Sequence, residues 1–213
     1  MTDSRWTLDP DIDAYLATMK LPPAPFMENL MAERTPLEQA APQVGSAAPA
    51  FSVELLTNNG VRTNEFVGLG DFAGRNLALL FGSYTCPVYR GQIERFNEIF
   101  AQLKDRLAFL LIYISEAHPE DGWQVGINHA QGVIYNQPES SATRAAIAAD
   151  CICEKKICMP VAIDNMENTV SRAYSAFPER LYLIDGDGIV RHRSEMGPFR
   201  MKTVQAWCGA LHG

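Results

Sequence analysis

The sequence lacks a surplus of basic residues, a long apolar run and a recognisable targeting segment. It has 18 Lys and Arg against 25 Asp and Glu, and the net charge of −7 leaves no basic surface for nucleic acid. Its apolar runs fall far short of the roughly 20 residues that cross a bilayer. The acidic start, MTDSRWTLDPDIDAY, is unlike a signal peptide. We therefore expect a soluble, cytoplasmic protein that binds neither nucleic acid nor membrane.

The sequence also lacks an even set of cysteines and a C-x-x-C motif. Tyr89 occupies the third position after Cys86, which excludes a dithiol of that type. An odd number of cysteines in a mid-sized chain argues against a disulfide framework and favours redox or metal chemistry. The pattern C-x-C-x4-C without a nearby histidine is a poor zinc site, so we expect no metal. The five cysteines are Cys86, Cys151, Cys153, Cys158 and Cys208.

Prolines and turn residues divide the chain into two parts. Residues 1–43 predict a helical extension, with one helix over residues 12–19 and a second from Phe26 that ends before Pro36 or Pro42. Residues 44–213, which open with VGSAAPAF, predict the domain that carries the chemistry. The extension packs on this domain or on a second subunit, which leaves a homodimer open.

Two unbroken apolar runs, Leu77–Phe81 and Leu107–Ile114, predict buried strands, with helical spacing from Pro87 to Leu103 between them. A strand, helix and strand of this length form a right-handed unit with parallel strands. The order of all elements is that of an α/β, thioredoxin-like fold with a mixed central sheet. The other elements are a strand over Phe51–Leu56 with a turn at Asn58–Gly60, a loop over residues 115–138, a helix over Ala142–Ala149, a strand over Met159–Ile163, a helix over Val170–Phe177, a hairpin of Leu181–Ile184 and Ile189–His192, and a helix over Val204–Leu211.

Cys86 lies where the first buried strand ends and the long helix begins. Pro87 suits the first helical position, because its missing N–H costs nothing there. The free N–H groups and the positive end of the helix dipole then point at the sulfur, which lowers a thiol's pKa and favours the reactive thiolate. The alternative is a small apolar cysteine that fills the core. We favour the reactive interpretation.

Polar residues after the second buried strand are expected beside Cys86, because carboxyl ends of parallel strands meet at one edge of a sheet. They are Glu116 and His118 in SEAHPEDGW. His118 can stabilise a thiolate or give a proton to a leaving group, and Glu116 can orient that imidazole or accept from a substrate hydroxyl. A solvated surface loop is the alternative for both. Trp123 walls the pocket or belongs to the core.

Pro178 and Arg180 stand at the start of a strand that is expected next to the Cys86 loop. A cis Pro178 presents its backbone to the sulfur, whereas the alternative is a plain turn proline. Arg180 pairs with the thiolate, or with Glu179 or Asp185.

An oxidised Cys86 needs a second thiol for its reduction. The candidates are Cys151, Cys153 and Cys158 in ADCICEKKICMP, predicted to lie between a helix and the third parallel strand. Lys155 and Lys156 favour thiolate in that segment. Cys208 beside Trp207 is predicted to be core.

Three segments together resemble the iodothyronine deiodinases, within the wider thioredoxin-like and peroxiredoxin-like group. They are FGSYTCP, with Cys86 where that family carries selenocysteine, IYISEAHPEDGW, and IDNMENTVSRAYSAFPERLYLI. The resemblance implies a thioredoxin fold, reductive removal of iodide from an aromatic ring and regeneration by a thiol such as thioredoxin or glutathione, without a bound cofactor. It also implies that Cys86 attacks halogen, that Glu116 and His118 are active-site residues and that Cys158 is the favoured resolving thiol.

The chain also departs from that family at two binding positions. A second histidine that the family carries before the helix at Ala142 aligns near Pro138 here, and the family's basic residue before a C-terminal Gly-Pro falls at Met196. Both departures leave the natural halogenated aromatic open. The same region also resembles the peroxiredoxins. The opening segment VGSAAPAF is shared with that group, and Ser83 occupies the place of the hydroxyl residue that they set against peroxide. A thiol peroxidase is therefore the alternative function, with Arg180 as a loose candidate for the peroxide-binding arginine. A non-enzymatic binding or redox-sensing module is the third hypothesis. The candidate substrate-binding residues are Ser83, Thr85, Trp123, Pro178 and Arg180.

Overall fold

The computed structural model describes residues 16–17 and 19–212, apart from the side chain of Met201. The predicted helix over residues 12–19 lies for the most part outside the described residues. The main helices are α1 (Ala24–Ala40), α2 (Pro87–Leu103), α3 (Gly126–Gln131), α4 (Ser141–Lys155), α5 (Thr169–Ala173) and α6 (Met201–His212), with a short 3-10 helix at Leu69–Phe72. The strands are β1 (Ser52–Leu56), β2 (Arg62–Gly68), β3 (Leu77–Gly82), β4 (Ala108–Tyr113), β5 (Val161–Ile163), β6 (Arg180–Ile184) and β7 (Val190–Arg193).

The strands form one mixed sheet in the order β2-β1-β5-β4-β3-β6-β7. Strands β3, β4 and β5 run parallel, and the other neighbours pair antiparallel. The predicted parallel β3–α2–β4 unit and the predicted mixed central sheet are confirmed. None of the helices in the described part of the chain is long and apolar enough to cross a membrane.

The two faces of the sheet carry two separate apolar cores. Side chains alternate along β3, so that Ala78 and Leu80 face one core while Leu79 and Phe81 face the other. The first core is covered by α2, α4 and α6, and the second by α5. Every residue of β3 and β4 is buried, which is why both strands read as unbroken apolar runs. Each large apolar side chain buried there stabilises the fold by roughly 2 kcal/mol.

Three predicted elements have different lengths in the structure. Helix α3 lies inside the segment predicted as loop, and α5 ends at Ala173, before the predicted end. Helix α4 continues to Lys155, so Cys151 lies in the helix and not after it. The reason is that Cys151 and Ile152 extend the apolar face of Ala148, and the helix ends only where Lys156 turns left-handed. Cys151 therefore packs in the core, although the sequence predicted it as a candidate resolving thiol.

Helix α1 is the second helix predicted for the extension, and it packs on the domain of the same chain. It continues through Pro36 and ends before Pro42, one of the two predicted stops. Contacts on both sides of Pro36 hold the helix in place. Arg34 Nη2 donates to the carbonyl oxygen of Phe177 at 2.7 Å, and Glu38 binds Arg180 at 2.6 Å and also Arg193. These contacts offset the backbone hydrogen bond that a proline removes.

The ion pair between Glu38 and Arg180 is expected to be a large contribution to stability, because Arg180 is fully buried. Replacing Glu38 by Gln leaves that guanidinium without its counter-charge, which costs about 3 kcal/mol. Urea denaturation followed by tryptophan fluorescence measures this loss. The matched control is Glu33→Gln on the same helix, at an exposed side chain, with an expected change below about 0.5 kcal/mol. Equal effects of the two variants would contradict the assignment.

Candidate active site

Cys86 lies at the carboxyl end of β3 and caps α2, as predicted. The N–H of Tyr89 donates to its sulfur at 3.5 Å, and Pro87 occupies the first turn of the helix. The ring of Tyr89 lies against Gly82, where a Cβ atom would come within 2.3 Å of it. This close approach brings the helix start directly onto the end of the strand. Only 1% of Cys86 is exposed, so the sulfur meets solvent through a cavity alone.

Glu179 is the direct partner of the Cys86 thiol. The thiol donates to Glu179 Oε2 at 2.7 Å, while Glu179 Oε1 accepts from the N–H of Phe199 at 2.8 Å. Both residues are buried. Sequence reasoning named Glu179 only as a candidate partner of Arg180. The available signal was its position directly after Pro178, at the start of a strand expected beside the Cys86 loop.

The environment raises the pKa of Cys86, contrary to the expectation from its place at the helix start. Burial is the largest cause, and the nearby Glu179 carboxylate adds to it, while the N–H of Tyr89 acts in the opposite direction. Burial likewise raises the pKa of Glu179, although its hydrogen bond with Cys86 opposes this. The resting site therefore holds a protonated thiol against a carboxylate that can accept its proton.

The predicted pair Glu116 and His118 splits into a positioning residue and a residue that faces the cavity. Glu116 Oε2 accepts from the N–H and the hydroxyl of Thr85, at 2.9 and 2.7 Å, and Glu116 Oε1 accepts from the Tyr113 hydroxyl. The Thr85 hydroxyl also accepts from the N–H of His118 at 3.1 Å. Glu116 therefore fixes the backbone of the Cys86 loop and does not line the cavity beside the sulfur. Neither predicted role, orienting the imidazole or accepting from substrate, matches these contacts.

His118 lines the same cavity as Cys86, as predicted. Its Nδ1 lies 3.0 Å from the carbonyl oxygen of Trp123, and because a carbonyl only accepts, Nδ1 carries the proton. Nε2 is then an unprotonated acceptor. Burial lowers the pKa of His118 to about 4, so the ring is neutral near pH 7. Nε2 can accept a hydrogen bond from a substrate hydroxyl, and the neutral ring does not supply the positive charge expected beside a thiolate.

The cavity around the thiol has a volume of about 260 Å³ and a mostly apolar lining. Trp123 and Pro178, both predicted at the site, form part of its wall. The Phe177–Pro178 bond is cis, as suggested from sequence. The Trp123 ring meets the His118 ring edge to face, with centroids 4.5 Å apart. An aromatic ligand therefore fits this cavity better than a small polar one.

Three predicted substrate-binding residues are directed elsewhere. The hydroxyl of Ser83 accepts from the N–H of Ala117 at 3.1 Å, and Thr85 is held by Glu116 as described. Arg180 binds Glu38, because alternation along β6 puts it on the sheet face opposite to Glu179. None of the three lines the described cavity around the thiol, and their contact with substrate or peroxide stays a prediction.

The structure does not bring the favoured resolving cysteine to Cys86. The N–H of Cys158 donates to the side chain of Asn97, which lies eleven residues beyond Cys86 along α2. At a rise of about 1.5 Å per residue, Asn97 lies about 16 Å from Cys86 along the helix, and Cys158 lies beside Asn97. A disulfide needs Cα atoms within about 7 Å of each other. Cys153 is exposed on α4, while Cys151 is buried there with its pKa raised by burial. All five cysteines are free thiols, and Cys208 is buried as predicted.

Comparison with known proteins finds similar sequences over most of the chain. A family model described as iodothyronine deiodinase matches residues 30–211. A thyroxine 5-deiodinase from Gallus gallus is 34% identical over 173 residues, which cover 77% of this chain and 61% of that protein. A type I iodothyronine deiodinase from Xenopus laevis is 34% identical over 137 residues, or 64% of this chain and 52% of that protein. The chain thus spans between about half and three fifths of these relatives.

Solved structures with a similar fold confirm the thioredoxin-like architecture. A putative thiol:disulfide interchange protein DsbE from Chlorobium tepidum superposes with a TM-score of 0.55 at 18% identity, covering 81% of this chain and 100% of that one. A reduced 2-Cys peroxiredoxin from Plasmodium vivax has a TM-score of 0.50 at 19% identity, covering 79% of this chain and 96% of that one. At such identities the likeness establishes the fold alone.

Replacing Glu179 by Gln is expected to lower the pKa of Cys86, because it removes a negative charge and an acceptor that hold the proton on sulfur. The rate of alkylation by iodoacetamide, followed by mass spectrometry of the Cys86 peptide, should then reach its half-maximum at a lower pH than in the wild type. Glu195→Gln, at an exposed side chain, is the control. An unchanged or higher midpoint in Glu179→Gln would contradict the pairing.

His118 is expected to make stability depend on pH. Its pKa falls from 6.5 in the unfolded chain to about 4 in the fold, so the unfolded state binds more protons between these values. Stability is therefore full above pH 6.5 and is lost as the pH falls towards 4. At about pH 4.5 the loss from this group amounts to about 2.5 kcal/mol. Urea denaturation at about pH 7.5 and 4.5 measures the free energy of unfolding, and the difference between the two pH values should be smaller in His118→Gln than in the wild type by that amount. An equal difference in both proteins would refute the burial of a neutral imidazole.

Proposed function

Because the chain belongs to the iodothyronine deiodinase family, we propose that it removes halogen reductively from a halogenated aromatic ring, with Cys86 as the nucleophile. The observation that carries the proposal is the single cavity in which the Cys86 thiol, the neutral His118 ring and an aromatic wall meet. An iodinated phenol fits there with its ring against Trp123, its halogen towards sulfur and its hydroxyl towards Nε2 of His118.

The chemistry starts with a proton transfer inside the buried pair. Cys86 gives its proton to Glu179, and the resulting thiolate attacks the halogen. The carbon–halogen bond breaks, and its electron pair stays on the ring carbon, which takes a proton from Glu179. His118 accepts the hydrogen bond of the phenol and helps to increase the electron density of the ring. The products of this step are the dehalogenated ring and a sulfenyl halide on Cys86.

An external thiol completes the cycle. A first thiol attacks the Cys86 sulfur, releases halide with one proton and forms a mixed disulfide, which a second thiol reduces. The balance is one aryl halide and two thiols giving one arene, one hydrogen halide and one disulfide. We assign the electrons to thioredoxin or glutathione in the cytoplasm, because Cys158 lies far from Cys86 and Cys151 is buried. The reaction needs no bound cofactor.

Iodide release tests this proposal. With dithiothreitol, the wild type is expected to release iodide from the single-ring substrate 3,5-diiodotyrosine, and Cys86→Ser to release none. His118→Ala should lower the rate about tenfold, because the phenol loses a hydrogen bond worth about 1.4 kcal/mol. Cys158→Ser is the matched control and should keep the wild-type rate with dithiothreitol.

The same preparation separates the other two functions. Hydrogen peroxide loss with thioredoxin, in the absence of iodide release, would make the protein a thiol peroxidase and the proposal would fail. An activity or binding property that survives in Cys86→Ser would favour a non-enzymatic module. Under the proposal, peroxide is a poor substrate because Ser83 and Arg180 do not face the sulfur.

A further inference from the structure

The outer wall of the thiol cavity is built by the extension and not by the sheet. We call it the leader wall and define it as residues 16–17 and 19–34, of which Phe26, Met27, Leu30 and Arg34 of α1 line the cavity together with Cys86. Residues 16–29 of this wall precede the region that matches the family model, which begins at residue 30. Most of the wall therefore lies outside the region that the family model matches.

The leader wall is held in a defined position by contacts with the cavity's other side. The Phe26 ring meets the Trp123 ring edge to face, with centroids 6.1 Å apart. Arg34 Nη2 donates to the carbonyl oxygens of Phe177 and Gly197, at 2.7 and 3.3 Å, and its guanidinium carbon lies 5.9 Å from the Phe177 ring centre. These contacts close the cavity over the thiol and set its size.

That size is suited to one substituted ring. The cavity measures about 260 Å³. A cavity of about 150 Å³ holds one benzene molecule, and pockets for drug-sized ligands measure about 300–1,000 Å³. One ring with a heavy halogen and two small substituents therefore fills the space, whereas a two-ring iodothyronine requires the leader wall to move away.

The wall also brings positive charge into an otherwise apolar cavity. A guanidinium carries five N–H donors in a planar fork that matches a carboxylate. The hydrogen bonds of Arg34 within the described residues all use Nη2, so its Nε and Nη1 make none there. Burial lowers the pKa of Arg34, and the nearby Arg180 acts in the same direction, while Glu179 and Glu38 oppose the shift. Arg200 adds a second basic side chain to the lining.

We propose that the leader wall selects the substrate, a halogenated phenol with a single ring and a carboxylate, whose carboxylate binds Arg34. This inference rests on the proposed function, since it names the substrate class of the same site. Three points then fix the ring: halogen at Cys86, hydroxyl at His118 and carboxylate at Arg34.

Binding without turnover tests the charge preference. In Cys86→Ser, quenching of tryptophan fluorescence should give a dissociation constant for 3-iodo-4-hydroxybenzoate at least tenfold below that for 2-iodophenol, which lacks the carboxylate. Adding Arg34→Gln should abolish the difference, while Arg34→Lys should retain part of it because the charge remains. Arg172→Gln, at an exposed arginine on the neighbouring helix α5, should leave both constants unchanged. Thermal unfolding of each variant verifies that it folds.

A second variant tests the size limit independently of Arg34. Phe26 is 40% exposed, so Phe26→Ala should leave the fold intact while it opens the wall next to Trp123. In Cys86→Ser with the wild-type leader wall, thyroxine is expected to bind at least tenfold more weakly than the single-ring acid. Adding Phe26→Ala is expected to increase the affinity for thyroxine. Thyroxine binding as tight as that of the acid, or equal affinity for acid and phenol, would overturn the inference.

The two proposals fail in different ways. Binding of the acid that depends on Arg34, without iodide release by the wild type, supports the leader wall and refutes reductive dehalogenation. Iodide release with no preference for the acid, and with no effect of Arg34→Gln, supports dehalogenation and refutes selection by the wall.

Discussion

The hydrogen bond between the Cys86 thiol and the Glu179 carboxylate is the interaction on which the site depends. It joins the loop after β3 to the residue before the neighbouring strand β6. It also places an acceptor 2.7 Å from a sulfur that has almost no access to water. Burial makes both ionised forms costly, so one proton shared by the pair is the favourable arrangement. The neighbouring elements, from the Thr85 loop to α1, keep the pair dry and aligned.

The position of Cys86 and His118 could be predicted because local patterns determine it. Unbroken apolar runs marked the two central strands, Pro87 marked the helix start, and strands joined by one helix must run parallel. The carboxyl ends of such strands share an edge, which brings the Cys86 loop next to the His118 loop. Each inference required only a short stretch of sequence and one rule of geometry.

The partners across the sheet could not be predicted, because they depend on the face to which each residue of β6 points. Pairing of Phe81 with Arg180 turns that arginine towards α1 and turns Glu179 towards the thiol. A shift of one residue would exchange the two. The position of Cys158 has a different cause: it precedes β5 and so lies at the amino ends of the parallel strands, whereas Cys86 follows the carboxyl end of β3.

The three main pKa shifts at the site have one cause, which bears on the kind of substrate it suits. Burial raises the pKa of Cys86 and Glu179 and lowers that of His118, so the resting cavity presents a neutral thiol and a neutral imidazole. A peroxidase gains from a thiolate formed in advance beside a cation, whereas an apolar ring meets a neutral thiol and a neutral imidazole and displaces no hydrated ion at the sulfur. Proton transfer from sulfur to Glu179 can then follow binding. Under the proposed function, the burial that raises the pKa of the thiol also favours an apolar aromatic ring beside the sulfur, because both follow from the loss of hydration there.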